Sequence, residues 1–178
     1  KWLLGTSGAG ILWAREGIDI EPLIQGGTGS MSDSLAMPAT FVERMEAGAP
    51  DVPAAAALES AIRWLEARSI ASVGGTTLAL ADACAGELSA IRRIRVSGGQ
   101  RGAPIVSFTV EGYDPADVAA ILESTSGVQV RAGFHCAARV HEHLGTQAGG
   151  TVRASFGIFN TRDDVKAIVE GVHAIATG

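Results

Sequence analysis

The sequence predicts an α/β protein in two parts, and three observations lead to this fold class. From Arg92 onward, short stretches with period-two apolar residues alternate with longer stretches of helical spacing. The first quarter instead carries two glycine clusters and one short apolar run. The composition, 47% hydrophobic but only 5% aromatic, indicates a mostly aliphatic core. We expect residues 1–66 to be a remnant of a larger sheet and residues 67–178 to form a small α/β domain.

The first of these parts is predicted to hold one buried strand among loops. A glycine-rich turn over residues 5–10 leads into Ile11–Ala14, whose continuous apolar character is typical of a strand buried on both faces. A second glycine cluster, Gly26–Ser30, precedes a polar segment punctuated by Met and Pro that extends to Pro53.

Two helices are predicted in the middle of the chain. The first has the amphipathic spacing i, i+3, i+4, i+7 at Leu58, Ala61, Ile62 and Leu65. The pair Gly74-Gly75 is expected to break the pattern, so the second helix is predicted from Thr76 to about Ala90. Cys84 lies on the apolar stripe of this second helix, and we expect it to be structural.

The last part of the sequence predicts the element order β-β-α-β-β-α. The four strands are indicated by the apolar sets Ile94/Val96, Val106/Phe108/Val110, Val128/Val130 and Val152/Ala154/Phe156. One helix is predicted to begin at Asp114-Pro115, an N-cap followed by a proline at the first helical position. Thr161 is predicted to cap the last helix.

Charge and composition exclude several function classes. The formal net charge of −5 gives no electrostatic footprint for nucleic acid or an anionic membrane. No apolar stretch approaches the roughly 18 residues that span a bilayer. The two cysteines, with no signal-peptide pattern, favour a reduced, cytoplasmic protein.

Cys136 is the candidate nucleophile. It follows a predicted strand and lies close to Gly133, in the kind of loop that often carries function. Arg131 and His135 are near in sequence and would favour the thiolate, which is the reactive form. A buried structural thiol remains the general alternative for any cysteine.

Two other chemistries are weaker alternatives. His135, Cys136, His141 and His143 are acceptable zinc ligands, but their spacing is not that of a zinc motif. A Ser-His-Asp hydrolase is disfavoured because the sequence has no Gly-x-Ser-x-Gly motif.

Arg153 and the glycine clusters are candidates for anion binding. Arg153 alternates with Val152 and Ala154, so its side chain is predicted on the face opposite the apolar one. There it is either a solvated arginine or a guanidinium fork for a carboxylate. The glycine clusters offer backbone N–H groups for a phosphate, but they match neither a P-loop nor a dinucleotide fingerprint.

Taken together, these motifs resemble one enzyme family. The segment from Lys1 to Trp13 resembles the segment beginning at the cofactor lysine of class V aminotransferase-like enzymes, and Gln25–Ser30 and Glu46–Gly48 follow in the family's order. The C-terminal block resembles that of cysteine desulfurases in Arg131–Cys136, His141, Gly150–Gly157 and Phe159–Thr161. The resemblance covers essentially the whole chain and implies the C-terminal part of a fold-type I pyridoxal 5'-phosphate (PLP) dependent transferase. Residues 1–66 would then be a remnant of the PLP-binding large domain, and 67–178 the small α/β domain.

The resemblance also implies roles for individual residues. Lys1 would bind PLP covalently and shuttle the substrate Cα proton. Cys136 would take the sulfur of L-cysteine as a persulfide, releasing L-alanine. Arg153 would bind the substrate carboxylate, and Arg131 would be a second substrate-binding residue. The cofactor phosphate would be contacted across a dimer interface by Gly27, Thr28 and Ser30. Thr28 and Ser30 would supply the hydroxyl that is missing at Ala49, where the family usually has threonine.

Partners and alternatives follow from the same resemblance. We expect a homodimer that acts on L-cysteine and passes sulfur to an acceptor protein, as in iron–sulfur cluster assembly, with no metal site. The chain would lack the upstream ring-stacking histidine and the aspartate that pairs with the pyridine nitrogen, so alone it is expected to be inactive. A selenocysteine lyase, a class V aminotransferase or epimerase, and an inactive α/β domain used as an interaction surface remain alternatives.

Overall fold

The structure is a computed structural model that describes residues 3–97 and 102–178, and it divides into two compact units between Ala67 and Arg68. The first unit contains helices α1 (Phe41–Met45) and α2 (Val52–Glu66). The second unit contains α3 (Ile70–Ser89), β1 (Ile94–Ser97), β2 (Ile105–Val110), α4 (Pro115–Ser126), β3 (Arg131–Gly133), α5 (Ala138–Leu144), β4 (Thr151–Ser155) and α6 (Arg162–Thr177).

Helix α2 is the main regular element of the first unit and confirms the amphipathic helix predicted there. It begins at Asp51, whose carboxylate accepts a hydrogen bond from the Ala54 backbone N–H at 3.0 Å. Leu58 on its inner side packs against Gly5, where an added Cβ would lie 3.0 Å from the Leu58 Cδ1 atom. The glycine turn at the start of the chain is therefore held close to α2.

The predicted buried strand Ile11–Ala14 is wrong. These residues form an irregular segment, in which Ile11 is 66% exposed and Trp13 is 78% exposed. A strand needs a neighbouring strand to satisfy its backbone groups, and residues 3–67 of the structure contain none. Apolar character alone therefore did not determine the local structure here.

A four-stranded antiparallel sheet in the order β1-β2-β4-β3 forms the centre of the second unit. Strands β1, β2 and β4 confirm three of the predicted strands, although β4 ends at Ser155, one residue before Phe156. In β2 the alternation predicted from sequence appears as buried Val106, Phe108 and Val110 between half-buried neighbours. The sheet thus has one apolar face and one polar face.

Helices α3, α4 and α6 cover the apolar face of this sheet. The core between them includes side chains with no exposed surface, namely Val106, Phe108, Leu122, Val152 and Val172. At about 25 cal/mol per Å² of apolar surface removed from water, this aliphatic core is the main stabilising contribution to the unit. The opposite face is left for polar side chains from β2, β3 and β4.

Both predicted helix starts in this unit are confirmed. The Asp114 carboxylate accepts from the Ala116 backbone N–H at 2.8 Å, with Pro115 at the first position of α4. At α6, the Thr161 backbone N–H donates to the Asp164 carboxylate at 2.7 Å. This bond is the main reason that the pKa of Asp164 lies below its usual value.

Three predictions for this unit need correction. Helix α3 begins at Ile70 and passes through Gly74-Gly75, because the cost of about 1 kcal/mol per glycine is small beside the packing of a 20-residue helix. Residues 128–130 are not a strand; Val128 and Val130 pack on the core, and β3 starts at Arg131, where β4 supplies a partner. Helix α5 was not predicted, so the order is β-β-α-β-α-β-α.

Candidate active site

Two arginines face each other on the polar side of the sheet. Arg131 on β3 and Arg153 on β4 are directly paired in the antiparallel register, and Ser107 on β2 pairs with Arg153 from the other side. Like charges in directly opposed positions destabilise a sheet. An anion bound between the two guanidinium groups would offset this repulsion, so the pair is suited to hold a carboxylate.

Cys136 lies beside this pair. Its side chain is exposed, and its Sγ atom is 3.5 Å from the Arg131 Nη2 atom, which donates to it. The structure therefore brings together Cys136, Arg131 and Arg153, three of the residues predicted to act on a substrate. A guanidinium next to the sulfur interacts favourably with a thiolate, the form that acts as nucleophile.

Cys84 is in a different environment. It is fully buried in α3, as predicted for a structural thiol. Burial, aided by the negative charge of Glu87, raises the pKa of the Cys84 thiol to about 12. This thiol stays protonated at neutral pH, and among the two cysteines only Cys136 is presented for chemistry.

The loop that carries Cys136 has an unusual backbone. His135 and Cys136 both adopt left-handed conformations, with φ of 53° and 61°, and Gly133, one residue before Phe134, has a φ of 102°. A residue other than glycine in this region costs on the order of 1 kcal/mol or more. Two consecutive such residues turn the chain sharply at the end of β3 and project the cysteine beside the arginine pair.

His141 braces this loop from helix α5. Its buried ring contacts the Phe134 carbonyl oxygen through Nε2 at 3.1 Å and the Thr146 hydroxyl through Nδ1 at 2.8 Å. Because a carbonyl only accepts, Nε2 carries a hydrogen toward Phe134, and the second contact joins Nδ1 to the Thr146 hydroxyl. The Phe134 ring also packs edge-on against His141, with centroids 5.1 Å apart. The histidine therefore fixes the turn that presents the cysteine.

His135 anchors the same loop to the sheet. Its Nε2 atom lies 3.0 Å from the Thr151 carbonyl oxygen and 3.1 Å from the Thr151 hydroxyl. Burial, with the positive charge of Arg153 next in importance, lowers the pKa of His135. Its imidazole is therefore neutral near pH 7, and the positive charge beside Cys136 comes from Arg131 rather than from His135.

Gly150 allows strands β3 and β4 to meet at this point. It has a φ of 82°, and an added Cβ would collide with the backbone of Gly133, the residue that starts the cysteine loop. Sequence reasoning had placed Gly150 only within a family block and had assigned no role to Thr146 or Thr151. The sequence signal for Gly150 is the pair Gly149-Gly150 directly before a strand with period-two alternation, because glycine at such a position indicates that another backbone approaches closely.

The histidines around Cys136 do not gather as metal ligands. His141 is engaged by Phe134 and Thr146, and His143 is exposed on α5. In the part of the chain that the structure describes, no group of three or more His, Cys, Asp or Glu side chains could hold a metal ion.

The predicted phosphate-binding residues lie in the first unit. The Thr28 and Ser30 hydroxyls are 3.0 Å apart on a turn with Gly29 at a φ of 78°, and the Gly27 carbonyl accepts from the Gly48 backbone N–H at 2.8 Å. The turn therefore presents two hydroxyl groups, one of which donates a hydrogen bond to the other. Lys1, the predicted cofactor lysine, lies outside the described residues.

The groove beside this turn is lined partly by acidic side chains. It encloses about 900 Å³ between the glycine turn and α2, and Glu43, Glu46 and Glu59 are among its lining residues. Its arginine, Arg63, is bound by Glu59 at 2.7 Å. A phosphate in this groove would meet carboxylates, so the groove is unsuited to an anion.

The fold and the site together define a mixed α/β protein with an exposed cysteine beside a pair of arginines. The chain matches the family described as aminotransferase class-V over residues 1–168. It belongs to this family, in its cysteine desulfurase branch.

Individual relatives agree with this assignment. The chain is 36% identical to a protein named probable cysteine desulfurase 2 of Mycobacterium leprae (strain TN), over 96% of this chain and 42% of that protein. It superposes on the apo structure of a cysteine desulfurase from Thermococcus onnurineus NA1 with a TM-score of 0.77 and 32% identity, over 88% of this chain and 40% of that one. The chain thus spans about two fifths of the length of these relatives.

Proteins of this family use PLP. A more distant structure with a TM-score of 0.57 and 13% identity, a C-DES mutant, holds glycine covalently linked to that cofactor; the match covers 74% of this chain and 31% of that one. With respect to membranes, no helix among residues 3–97 and 102–178 is long and apolar enough to cross a bilayer.

Proposed function

We propose that the protein containing this chain is a PLP-dependent cysteine desulfurase and that Cys136 receives the sulfur. The observation that carries the proposal is the placement of an exposed Cys136 thiol 3.5 Å from Arg131, with Arg131 paired to Arg153 across two strands. The other cysteine, Cys84, is buried and has a raised pKa. This pattern favours a desulfurase over a class V aminotransferase or epimerase, neither of which uses a thiol nucleophile.

In the proposed reaction, the Cys136 thiolate attacks the sulfur of L-cysteine. A sulfur–sulfur bond forms as the substrate carbon–sulfur bond breaks; the electron pair of the broken bond goes to the substrate carbon, which takes up the proton that the substrate thiol carried. Cys136 becomes a persulfide and L-alanine is released, so no external oxidant or reductant is needed. PLP, when bound, supplies the electron sink for this chemistry.

The chain's own residues position the substrate in this proposal. Arg153 holds the substrate carboxylate through its planar guanidinium, and Arg131 both adds charge at the same place and contacts Cys136. His141 and His135 hold the cysteine loop against α5 and β4. The Thr28 and Ser30 hydroxyls are the proposed phosphate contacts, with Gly27 in the same turn, and Lys1 is the proposed cofactor lysine.

The domain and partner assignments are part of the same proposal. Residues 1–66 would belong to the PLP-binding large domain and 67–178 would form the small domain, consistent with the division into units at Ala67. The exposed turn at Thr28–Ser30 suits a phosphate approached from a second subunit of a homodimer. Exposed Cys136 suits transfer of its sulfur to an acceptor protein in the cytoplasm.

A thiol substitution tests the proposal. In the protein as its reading frame encodes it, supplied with PLP and L-cysteine, Cys136→Ala should abolish persulfide formation and reduce alanine release by at least a hundredfold, while the absorbance band of PLP is retained. Cys84→Ala is the matched control and should keep most of the activity. Alanine release from the Cys136→Ala variant at the rate of the unmodified protein would rule out the assignment.

A further inference from the structure

Two buried polar atoms near the arginine pair lack a hydrogen-bond partner. They are the Nδ1 atom of His135 and the Nε atom of Arg153. A buried donor or acceptor without a partner is costly, so each such atom in a native site calls for an explanation. The other ring nitrogen of His135 is fully engaged by Thr151.

The contact with Thr151 determines the chemical character of the free nitrogen. The Thr151 carbonyl oxygen can only accept, so His135 Nε2 must carry the hydrogen. In a neutral imidazole the remaining nitrogen, Nδ1, is then an acceptor with a free lone pair. Arg153 Nε carries an N–H and is only a donor. The two atoms without partners are therefore complementary.

The positions of the two side chains agree with this pairing. Thr151 and Arg153 are two residues apart on β4, so both point to the polar face of the sheet, and the His135 ring rests on Thr151. Arg153 is the charge that most affects the pKa of His135, and Arg131 and His141 act in the same direction. All three neighbours disfavour a proton on the imidazole.

We propose that His135 is a positioning residue that orients the Arg153 guanidinium for the substrate carboxylate, its unpaired Nδ1 atom serving as the acceptor for Arg153 Nε–H. When His135 accepts from Nε–H, the two terminal amino groups of Arg153 are free to form a bidentate pair with a carboxylate. This inference rests on the proposed function for the nature of the substrate, but the His135–Arg153 pair itself does not.

The pair has a defined pH dependence. A proton on Nδ1 would turn the acceptor into a donor and add a positive charge next to Arg153, Arg131 and His141. Because the folded protein disfavours that proton, the pair is intact at neutral pH and is lost as the pH falls through the lowered pKa of His135. Substrate affinity, and not the chemical step, is expected to follow this titration.

Nitrogen NMR of the chain tests the pair without any cofactor. As the pH is lowered from 8 to 5, His135 should titrate from the Nε2–H tautomer with a pKa below 6.5, and the Arg153 Nε–H should be protected from exchange, relative to its intrinsic rate at each pH, at pH 7.5 and not at pH 5. In His135→Gln, which keeps a donor toward Thr151 but has no acceptor at the Nδ1 position, exchange of Arg153 Nε–H should be at least tenfold faster at pH 7.5. His143→Gln, at an exposed site on α5, is the matched control and should leave this exchange rate unchanged.

Steady-state kinetics of the PLP-loaded protein test whether the His135–Arg153 pair affects substrate affinity. For His135→Gln we expect KM for L-cysteine to rise about tenfold with kcat within threefold, and the increase of KM at low pH that we expect of the unmodified protein to disappear. An Nδ1–H tautomer in the unmodified protein, or unchanged Arg153 Nε–H exchange in His135→Gln, would overturn the pairing. Both results are independent of Cys136, so they are distinguishable from failure of the desulfurase assignment.

Discussion

At the scale of single residues, the proposed role of Arg153 requires both a positive charge and a planar shape. Its planar guanidinium can form two parallel hydrogen bonds to a carboxylate, which an ammonium group cannot. Arg153→Lys should therefore lose about 1.5–3 kcal/mol of charge-assisted bonding and show at least a tenfold lower kcat/KM for L-cysteine.

The control for this substitution is Arg162→Lys. Arg162 forms an exposed ion pair with Glu87 at 3.0 Å. Ion pairs of this kind contribute roughly 0–1 kcal/mol to stability, so replacing Arg162 by lysine should leave kcat/KM unchanged. A kcat/KM that stays at the starting value in Arg153→Lys would identify Arg153 as a solvated arginine without a substrate role.

Single-residue features were predictable from sequence where they depend on local periodicity. The polar orientation of Arg153 follows from its alternation with Val152 and Ala154, and the burial of Cys84 follows from its helical stripe. The contacts of His135 and His141 were not predictable in this way, because their partners are brought near by the pairing of β3 with β4 and by the unpredicted helix α5. The positions of these histidines in the folded chain, rather than their residue type, therefore decide that they hold the cysteine loop instead of binding a metal.

At the scale of the elements, the junction of β3 and β4 depends on Gly150. Its positive φ and the close approach of the Gly133 backbone leave no room for a side chain. Gly150→Ala should therefore lower the free energy of unfolding by about 3 kcal/mol or more, combining conformational strain with a backbone clash. It should also displace the loop that begins at Gly133, measured as a changed alkylation rate of Cys136.

The substitution Gly127→Ala separates the conformational strain from the backbone clash. Gly127 caps α4 with a φ of 65°, but an added Cβ there meets nothing within 4 Å. This control should lose only about 1 kcal/mol, the cost of the left-handed conformation alone, and it should not affect Cys136. Equal destabilisation of the two variants in denaturant unfolding would contradict the clash.

The sequence predicted the helices and strands that are marked by a pattern within their own residues, such as apolar alternation or a capping residue. Strands β1 and β2 have strict alternation, and α4 and α6 have capping residues at their starts. Helix α5 spans only seven residues and lacks an apolar stripe, so its sequence carried no comparable signal. Strand β3 was misplaced because pairing with β4, rather than the valines at 128 and 130, determines where the ladder forms.

At the scale of the whole chain, the two units differ in how well their apolar residues are covered. The buried cluster lies in the second unit, whereas several large apolar side chains of the first are exposed, including Trp13, Leu23, Ile24 and Leu35. Segments with few buried contacts open at low free energy and are cleaved first. Limited digestion of the 178-residue chain with proteinase K should therefore cut before Arg68 first, leaving a resistant fragment identified by mass spectrometry.

A core substitution provides the comparison for that digestion. Phe108→Ala removes a fully buried ring, at a cost of about 3–5 kcal/mol, and should make the second unit as sensitive as the first. Initial cuts within α3, α4 or α6 of the unmodified chain would show that the difference in burial does not govern stability.

The position of β4 in the sheet has a consequence for the order in which the molecule assembles. Strand β4 is the last strand in the sequence, yet it lies between β2 and β3 and is the strand with which β3 pairs. During synthesis, the β1–β2 hairpin can form as soon as it emerges, whereas β3 must wait for β4. The thiol of Cys136 and its flanking arginines therefore come together only after β4 has been synthesised, so a nascent chain that stops before β4 does not display this arrangement.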